Sequence, residues 1–378
     1  MNLLAHSKLV SKSLYRQLAV LPCSNSSSSS SSRLFSSFAP SPAPPTLTVP
    51  NTPEKRTPLS QKLEAGPSFS DFINSNLPGD SRLPPWLKTP IPKGRNVVSK
   101  RKSLKSFGLS TVCEEAKCPN ISECWGGGEH GTSTATIMIM GDTCTRACRF
   151  CSVKTSRAPP PLDPNEPANV ANALADWGLD YVVLTSVDRD DLPDFGADHF
   201  TKVVQQVKAK LPDMMVECLT PDFLGNPELV LKVASSGLDV FAHNVETVEE
   251  LTKYVRDRRA NYNQSLQVLK TAKQGNPDLL TKTSIMLGVG ENDEMVHRTL
   301  KDIADAGVDI VTFGQYIRPT RKHMKVVEYI HPSKFDYWKE QATSNYGFKF
   351  VASGPLVRSS YKAAEFFVKS LLKNKSSS

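Results

Sequence analysis

The sequence predicts an α/β fold, a partial TIM-like (β/α)6 barrel with extensions at both ends, on three observations. Six short runs of β-branched and apolar residues recur, separated by stretches of helical periodicity. No glycine-rich dinucleotide fingerprint opens any of those helices. Polar residues gather just after the runs, where a parallel barrel carries its functional side chains. An open, doubly wound sheet is the structural alternative, and it also places function at the C-terminal ends of its strands.

The first strand covers 134–140, a β-branched run that Gly141, Asp142 and Thr143 turn out of its line. The other strands fall at 181–186, 215–219, 239–244, 283–289 and 309–313. Helices fall at 168–177, 196–210, 227–234, 264–274 and 295–306. Asp188, Arg189, Asp190 and Asp191 follow the second strand, and Glu217 closes the third, with Thr220 and Asp222 beyond. His243, Asn244 and Glu246 follow the fourth; Gly288, Gly290 and Glu291 follow the fifth; Gln315, Tyr316 and Arg318 close the sixth. So much polarity at one rim fits a mouth that takes a charged ligand, although each residue alone is weak evidence because loop ends are polar anyway.

Both ends of the chain read differently from the barrel. Residues 1–53 hold no Asp or Glu, while Lys8, Lys12, Arg16 and Arg33 lie there. Leu3, Leu4, Val10, Leu14 and Leu18 gather on one side of a helical wheel and the three leading cations on another. With the serine run 26–32, this makes residues 1–35 an organelle transit peptide, mitochondrial rather than plastid because the basic stripe is helical; a disordered polar terminus is the plain alternative. Residues 36–70, rich in Pro, Ser and Thr, read as a linker. The divisions that follow are an N-terminal extension at 71–130, the barrel at 131–320 and a C-terminal extension at 321–378. Without the four leading cations, 42 basic residues face 38 acidic ones, a balance that does not argue for nucleic-acid binding. It is compatible with an acidic protein partner. No run of about 18 apolar residues exists, so no helix spans a bilayer.

Six of the eight cysteines lie within 39 residues. Cys113, Cys118 and Cys124 form C-x4-C-x5-C, and Cys144, Cys148 and Cys151 form C-x3-C-x2-C. A disulfide framework fits poorly, since the chain is long and its leader points to a reducing compartment. Zinc sites pair two C-x2-C knuckles or add histidines, and here only Cys148 and Cys151 have knuckle spacing. Unequal spacing in loops suits iron–sulfur clusters, whose irons take ligands from several directions. Each triplet leaves one iron of a [4Fe–4S] cluster for another ligand. Cys218, inside an apolar strand, reads as a core thiol, and Cys23 lies in the leader.

C-x3-C-x2-C leaving a first strand, with Phe150 before the last cysteine, resembles the radical S-adenosylmethionine superfamily. That resemblance implies a cluster whose open iron is chelated by S-adenosylmethionine and which releases a 5′-deoxyadenosyl radical on reduction. The upstream C-x4-C-x5-C, Glu114-Glu115-Ala116-Lys117-Cys118-Pro119-Asn120, the segment 126–132, Pro319-Thr320-Arg321-Lys322-His323 and Arg358-Ser359-Ser360-Tyr361 narrow the resemblance to the lipoyl synthase family. It implies an auxiliary [4Fe–4S] cluster on Cys113, Cys118, Cys124 and, through oxygen, Ser360, held by the two extensions. A hard oxygen ligand on a soft cluster is weaker than thiolate and could open as the cluster is dismantled. Without the resemblance, Ser359 and Ser360 would read as a helix cap.

For the cofactor, Ser186, Glu217, Asn244, Lys282 and Arg318 are the expected S-adenosylmethionine contacts, while His243 could equally satisfy core hydrogen bonds. The resemblance implies sulfur insertion at C6 and C8 of an octanoyl chain on a lysine of a carrier domain. Implied partners are octanoylated carriers (2-oxoacid dehydrogenase E2 subunits and the glycine cleavage H protein), an electron donor such as a ferredoxin, and the cluster-assembly machinery. The implied compartment is the mitochondrial matrix. Competing readings are another sulfur-inserting radical enzyme of the biotin synthase or methylthiotransferase kind, and a cluster carrier or electron-transfer protein. Three further basic or glycine-rich stretches have plain readings. Gly126-Gly127-Gly128 lacks the Gly-Lys-Ser/Thr ending of a phosphate loop. The basic stretch 88–105 reads as solvated surface, with docking of an acidic partner protein as the alternative, and Arg256, Arg258 and Arg259 as a solvated charged segment, with a grip on the carrier protein as the alternative.

Overall fold

The computed structural model describes residues 83–89, 95–115, 118, 120, 121 and 135–360. The leader, the linker, Cys124, the triple glycine and Tyr361 lie outside the described residues. The main sheet has eight strands: β1 (Ser110–Thr111), β2 (Ala135–Ile139), β5 (Tyr181–Ser186), β6 (Met215–Leu219), β7 (Val240–Ala242), β8 (Leu280–Leu287), β9 (Ile310–Gln315) and β10 (Phe350–Ser353), paired in that order. Every pairing from β2 to β10 is parallel, and only β1 runs antiparallel, against β2. A second, two-stranded parallel ladder joins β3 (Thr143–Cys144) to β4 (Lys154–Thr155).

Local sequence explains the elements. Five of the six residues of β5 are buried, and its Tyr-Val-Val-Leu-Thr run is the β-branched and aromatic kind that fits a sheet covered on both faces. The crossover helices are α3 (Glu166–Trp177), α4 (Ala197–Lys210), α5 (Pro227–Ala234), α7 (Tyr262–Gly275) and α8 (Asp293–Asp305), after two helices of the N-terminal extension, α1 (Arg95–Ser106) and α2 (Val112–Glu115). Asn226, Asn261 and Asn292 cap α5, α7 and α8, each accepting a backbone N–H of the first turn. A short α6 (Glu249–Val255) precedes α7, and α9 (Pro332–Tyr346) leads into β10.

The helices cover the outside of the sheet. Phe200, Val203 and Val207 of α4 with Val230 and Val233 of α5 pack in one core with Val182, Leu184, Val216 and Phe241. A second core joins Ile285, Leu287, Val311 and Phe313 to Leu300, Ile303, Phe335 and Trp338. Each such side chain withdrawn from water contributes about 1.5–3 kcal/mol, so these two cores hold the strands in register.

The sheet is open but curled. Its end strands do not pair with each other, yet residues of β2, β5, β6, β8 and β9 all line one cavity of about 530 Å³. A flat, doubly wound sheet would not bring its first and sixth parallel strands to one cavity; the fold is the partial barrel. Two strands of the main sheet escaped the sequence reading, β1 and β10, as did the two-residue β3 and β4. With two and four residues they carry too little alternation to stand out, and β10 makes a seventh parallel strand.

The extensions meet across the opening. Asn120 donates from Nδ2 to the carbonyl of Leu356 at 2.6 Å, tying the segment after α2 to the chain leaving β10. Gly314 in β9 makes that crossing possible, because a Cβ there would lie 2.0 Å from the carbonyl oxygen of Val357.

Candidate radical and auxiliary cluster sites

The strand β2 ends in a sharp turn that launches the cysteine loop. Met140 has φ of 67°, in the left-handed region. Glu166 accepts from its amide at 2.8 Å and from His199 of α4, while Arg189 donates to its carbonyl. Gly196, with φ of 87°, sits in the left-handed region that favours glycine, and a Cβ there would also press on the Met140 sulfur.

From this turn the loop carries Cys144, Cys148 and Cys151 into the wall of the large cavity. Its shape is held by ion pairs. Arg146, between the first two cysteines and 4% exposed, donates to Asp222 at 2.6 and 2.7 Å and to Asp190 at 2.8 Å. Asp257 accepts from the Ala147 amide at 2.9 Å, and Arg259 donates to the Thr145 carbonyl at 2.7 Å. The Arg149 amide reaches the carbonyl of Val255. The stretch 255–259 therefore clamps the cysteine loop. Arg256 is buried against Val245 and Ser265, which corrects its reading as solvated charge, while Arg258 is exposed as expected. Sequence could have hinted at this only through the alternation of Arg256-Asp257-Arg258-Arg259, a pattern that solvated segments share.

Three amides point at sulfurs, from Arg146 and Asp188 to Cys144 Sγ at 3.4 and 3.3 Å and from Asp257 to Cys148 Sγ at 3.2 Å. Burial pushes the Cys144 thiol up to about 12, helped by the Asp188 charge. Burial likewise pushes Cys148 to about 12 and Cys151 to about 11. Such thiols ionise at neutral pH only with a cation to hold them. Among the described residues, no three His, Cys, Asp or Glu close around a point as a single metal ion needs. Thiolates that each take a different iron of one cluster stand further apart than ligands sharing one ion. The donor set, three soft thiols with sulfur-directed amides, fits an iron–sulfur cluster.

Around the same cavity stand polar atoms without partners. Ser186 Oγ and Asn244 Oδ1 are buried and make no hydrogen bond. Asn244 donates from Nδ2 to Glu246, whose backbone φ is 71° and whose carboxyl is pushed up by burial. Arg318 also lines the cavity and donates to the carbonyls of His323 and Arg321. Buried polar groups without partners are rare, and a cavity edged with them fits a polar ligand such as S-adenosylmethionine.

The other two predicted contacts lie elsewhere. Glu217 is the middle residue of β6, not its end, and Lys282 is the third residue of β8. They bond each other, Lys282 Nζ to both carboxylate oxygens at 2.9 Å, and the Tyr181 hydroxyl donates to Glu217 at 2.6 Å. Tyr181 opens β5, so the trio sits toward the floor of the barrel; neither Glu217 nor Lys282 lines the cavity. For Glu217 the expected strand 215–219 matches β6 and already runs two residues past it, whereas for Lys282 the strand start differs. β8 begins at Leu280, three residues before its expected start, which draws Lys282 into the strand. His243 satisfies core groups, donating from Nδ1 to the Thr220 carbonyl and accepting at Nε2 from Ser265. Cys218 is a fully buried core thiol.

The second group of predicted ligands converges on the same cavity. Cys113, in α2, and Cys118 line it together with Arg358, Ser359 and Ser360. The Cys118 amide bonds the Cys113 carbonyl at 3.0 Å. Burial pushes the Cys118 thiol up, against the opposing pull of the Asn120 amide and the Arg358 guanidinium. Cys124 lies outside the described residues.

Comparisons with known proteins agree with this geometry. Residues 138–303 match the model of the radical SAM superfamily, and residues 79–118 match that of the N-terminal domain of lipoyl synthase of the radical SAM family. A Drosophila melanogaster protein named "Lipoyl synthase, mitochondrial" is 58% identical over 341 residues, which are 85% of this chain and 90% of that protein. An Aedes aegypti protein of the same name is 58% identical over 336 residues, covering 84% of this chain and 85% of that one.

Proposed function

The chain belongs to the lipoyl synthase family of the radical S-adenosylmethionine superfamily, and from that premise we propose that it inserts two sulfur atoms, at C6 and C8, into an octanoyl chain amide-linked to a lysine of a carrier domain. One observation carries this reading: two separate sets of candidate cluster ligands, Cys144, Cys148 and Cys151 leaving β2 and Cys113, Cys118 and Ser360 from the two extensions, line a single cavity. A radical generated at the first set and sulfur held at the second would then meet one substrate chain.

Cys144, Cys148 and Cys151 would hold the radical cluster, and Cys113, Cys118, Cys124 and Ser360 the auxiliary one. When bound, the first cluster with S-adenosylmethionine supplies a 5′-deoxyadenosyl radical able to take hydrogen from unactivated carbon, and the second supplies the sulfur. The chain's own part is placement and shelter. Ser186, Asn244 and Arg318 offer polar contacts to the cofactor. Met138, Phe150, Ile285 and Met286 give the cavity apolar walls, which suit an octanoyl chain and keep water from a radical. One S-adenosylmethionine is consumed for each hydrogen removed, hence two for each lipoyl group.

The implied partners are octanoylated 2-oxoacid dehydrogenase E2 subunits and glycine cleavage H protein, a one-electron donor such as a ferredoxin, and cluster-assembly proteins. The acid-free leader and the names of the relatives support the mitochondrial matrix as the compartment.

Substituting one cysteine in each set separates the roles. Anaerobically reconstituted Cys148→Ala should form no 5′-deoxyadenosine. Cys118→Ala should form it, and abstract hydrogen, but make no carbon–sulfur bond. Lipoyl product from Cys118→Ala, read by mass spectrometry of the carrier, would remove the sulfur-donor role.

A further inference from the structure

The cysteine loop has a second face. A depression of about 420 Å³ is lined by Ala147, Cys148, Arg149, Cys151, Lys322 and His323 among others. Cys148, Cys151, Val153 and Thr155 line both this depression and the large cavity, so the loop is a partition between them. Neighbouring side chains face opposite ways: Phe150 lines the cavity and Arg149 the depression.

The outer face is cationic. Arg149 and Lys154 come from the cysteine loop, Arg321, Lys322 and Lys325 from the segment after β9, and all five are exposed. Hydrogen bonds hold the two segments together, from the Met324 amide to the Arg149 carbonyl at 3.2 Å and from His323 Nε2 to the Cys151 carbonyl at 3.0 Å. Among the described residues only Lys154 has a carboxylate partner, Asp142 at 3.6 Å, and the wall of the depression contains no Asp or Glu. Unpaired cations concentrated on one patch raise association rates with an oppositely charged partner and select against basic ones.

We propose that this face is the docking surface of the electron donor, a small protein acidic at its contact surface that carries one electron. The proposal rests on the reading of Cys144, Cys148 and Cys151 as cluster ligands. Cofactor and substrate occupy the large cavity during turnover, which leaves the depression as the open approach to Cys148 and Cys151. His323 runs from the cationic surface to the backbone of Cys151, a hydrogen-bonded path of a few atoms. The reduced donor loses one electron and the cluster gains it; no bond forms or breaks and no proton moves. The patch therefore needs only to hold the donor close.

The test uses the holoenzyme with Lys154→Glu, Lys322→Glu and Lys325→Glu combined, and a reduced acidic [2Fe–2S] ferredoxin as probe. At about 50 mM salt, ferredoxin affinity by calorimetry and ferredoxin-driven 5′-deoxyadenosine formation should both fall at least about tenfold. The rate with dithionite, too small to need docking, should stay within about twofold of wild type, and the same three positions changed to Arg should behave as wild type. Unchanged ferredoxin affinity and rate would overturn the proposal. So would weakened binding of an octanoylated carrier domain with ferredoxin binding intact, which would give the surface to the substrate protein. If the reversal also lowers the dithionite rate, the triple change to Gln decides: ferredoxin loss with dithionite retained supports the proposal, and equal loss of both overturns it. Absence of 5′-deoxyadenosine from wild type with dithionite would instead strike at the cluster assignment.

Discussion

His243 shows how one side chain on the cavity wall can be structural. It gives its Nδ1 proton to the Thr220 carbonyl and takes a hydrogen bond from Ser265, which also accepts from Arg256. Burial, and then the neighbouring Arg256 charge, lower its pKa to about 4. The unfolded chain binds a proton at this residue near pH 6.5, whereas the folded chain stays neutral to about pH 4. The unfolded state therefore holds more protons across that window, and stability falls as pH drops from about 6.5 toward 4. A shift of this size corresponds to roughly 3 kcal/mol. Thermal unfolding followed from pH 8 to pH 5 should show this loss, and His243→Gln should flatten the slope while lowering stability at pH 8. An unchanged slope in the variant would assign the acid sensitivity to other groups.

At the scale of elements, the clearest lesson is the pair between β6 and β8. An acidic and a basic residue near the ends of predicted strands read as ligand contacts, because loop ends carry function. Interior strand positions obey a different rule: a buried charge must be paired. Glu217 shares its face of β6 with Leu219, and Lys282 shares its face of β8 with Ser284 and Met286. Leu219, Ser284 and Met286 line the cavity, so the pair lies below it on the same inner surface. Their side chains are 2% and 5% exposed. Removing one partner strands the other, so Lys282→Met should cost about 3–5 kcal/mol. The double change Glu217→Gln with Lys282→Met should regain more than half of that. Urea unfolding measures both, and an unaltered slope on denaturant shows that only stability has changed. The KM for S-adenosylmethionine should stay near wild type. A large rise in KM with little loss of stability would return Lys282 to the cofactor site.

For the whole molecule, what could be read in advance was what repeats or is rigidly spaced. Six parallel strands announced themselves by β-branched runs such as 181–186, while α7 and α8 begin two residues before their expected starts, at the turns capped by Asn261 and Asn292. The cysteine triplets and, through the family resemblance, the Arg-Ser-Ser motif stood out as candidate ligands, and the fold brings Cys113, Cys118 and Ser360 to the wall that holds the other triplet. Long-range electrostatics was not legible. Nothing near Arg146 in the sequence reveals its partners Asp190 and Asp222, 44 and 76 residues away. Nor does the sequence show that Asn120 reaches Leu356, 236 residues on. That contact joins the two extensions across the open edge of the barrel, beside the wall to which cysteines from one end and a serine from the other contribute. Asn120→Ala removes the donor and leaves the Leu356 carbonyl unpaired, at a cost of about 1–3 kcal/mol. Because the contact belongs to the extensions, the loss should fall on the auxiliary site alone. Iron after anaerobic reconstitution should drop from about eight toward about four per chain, the contents of two and of one [4Fe–4S] cluster. Formation of 5′-deoxyadenosine with dithionite should persist while lipoyl product falls with the lost iron. Full iron in the variant would show that the extensions are joined without Asn120, and loss of both activities together would show that the two sites do not fold independently.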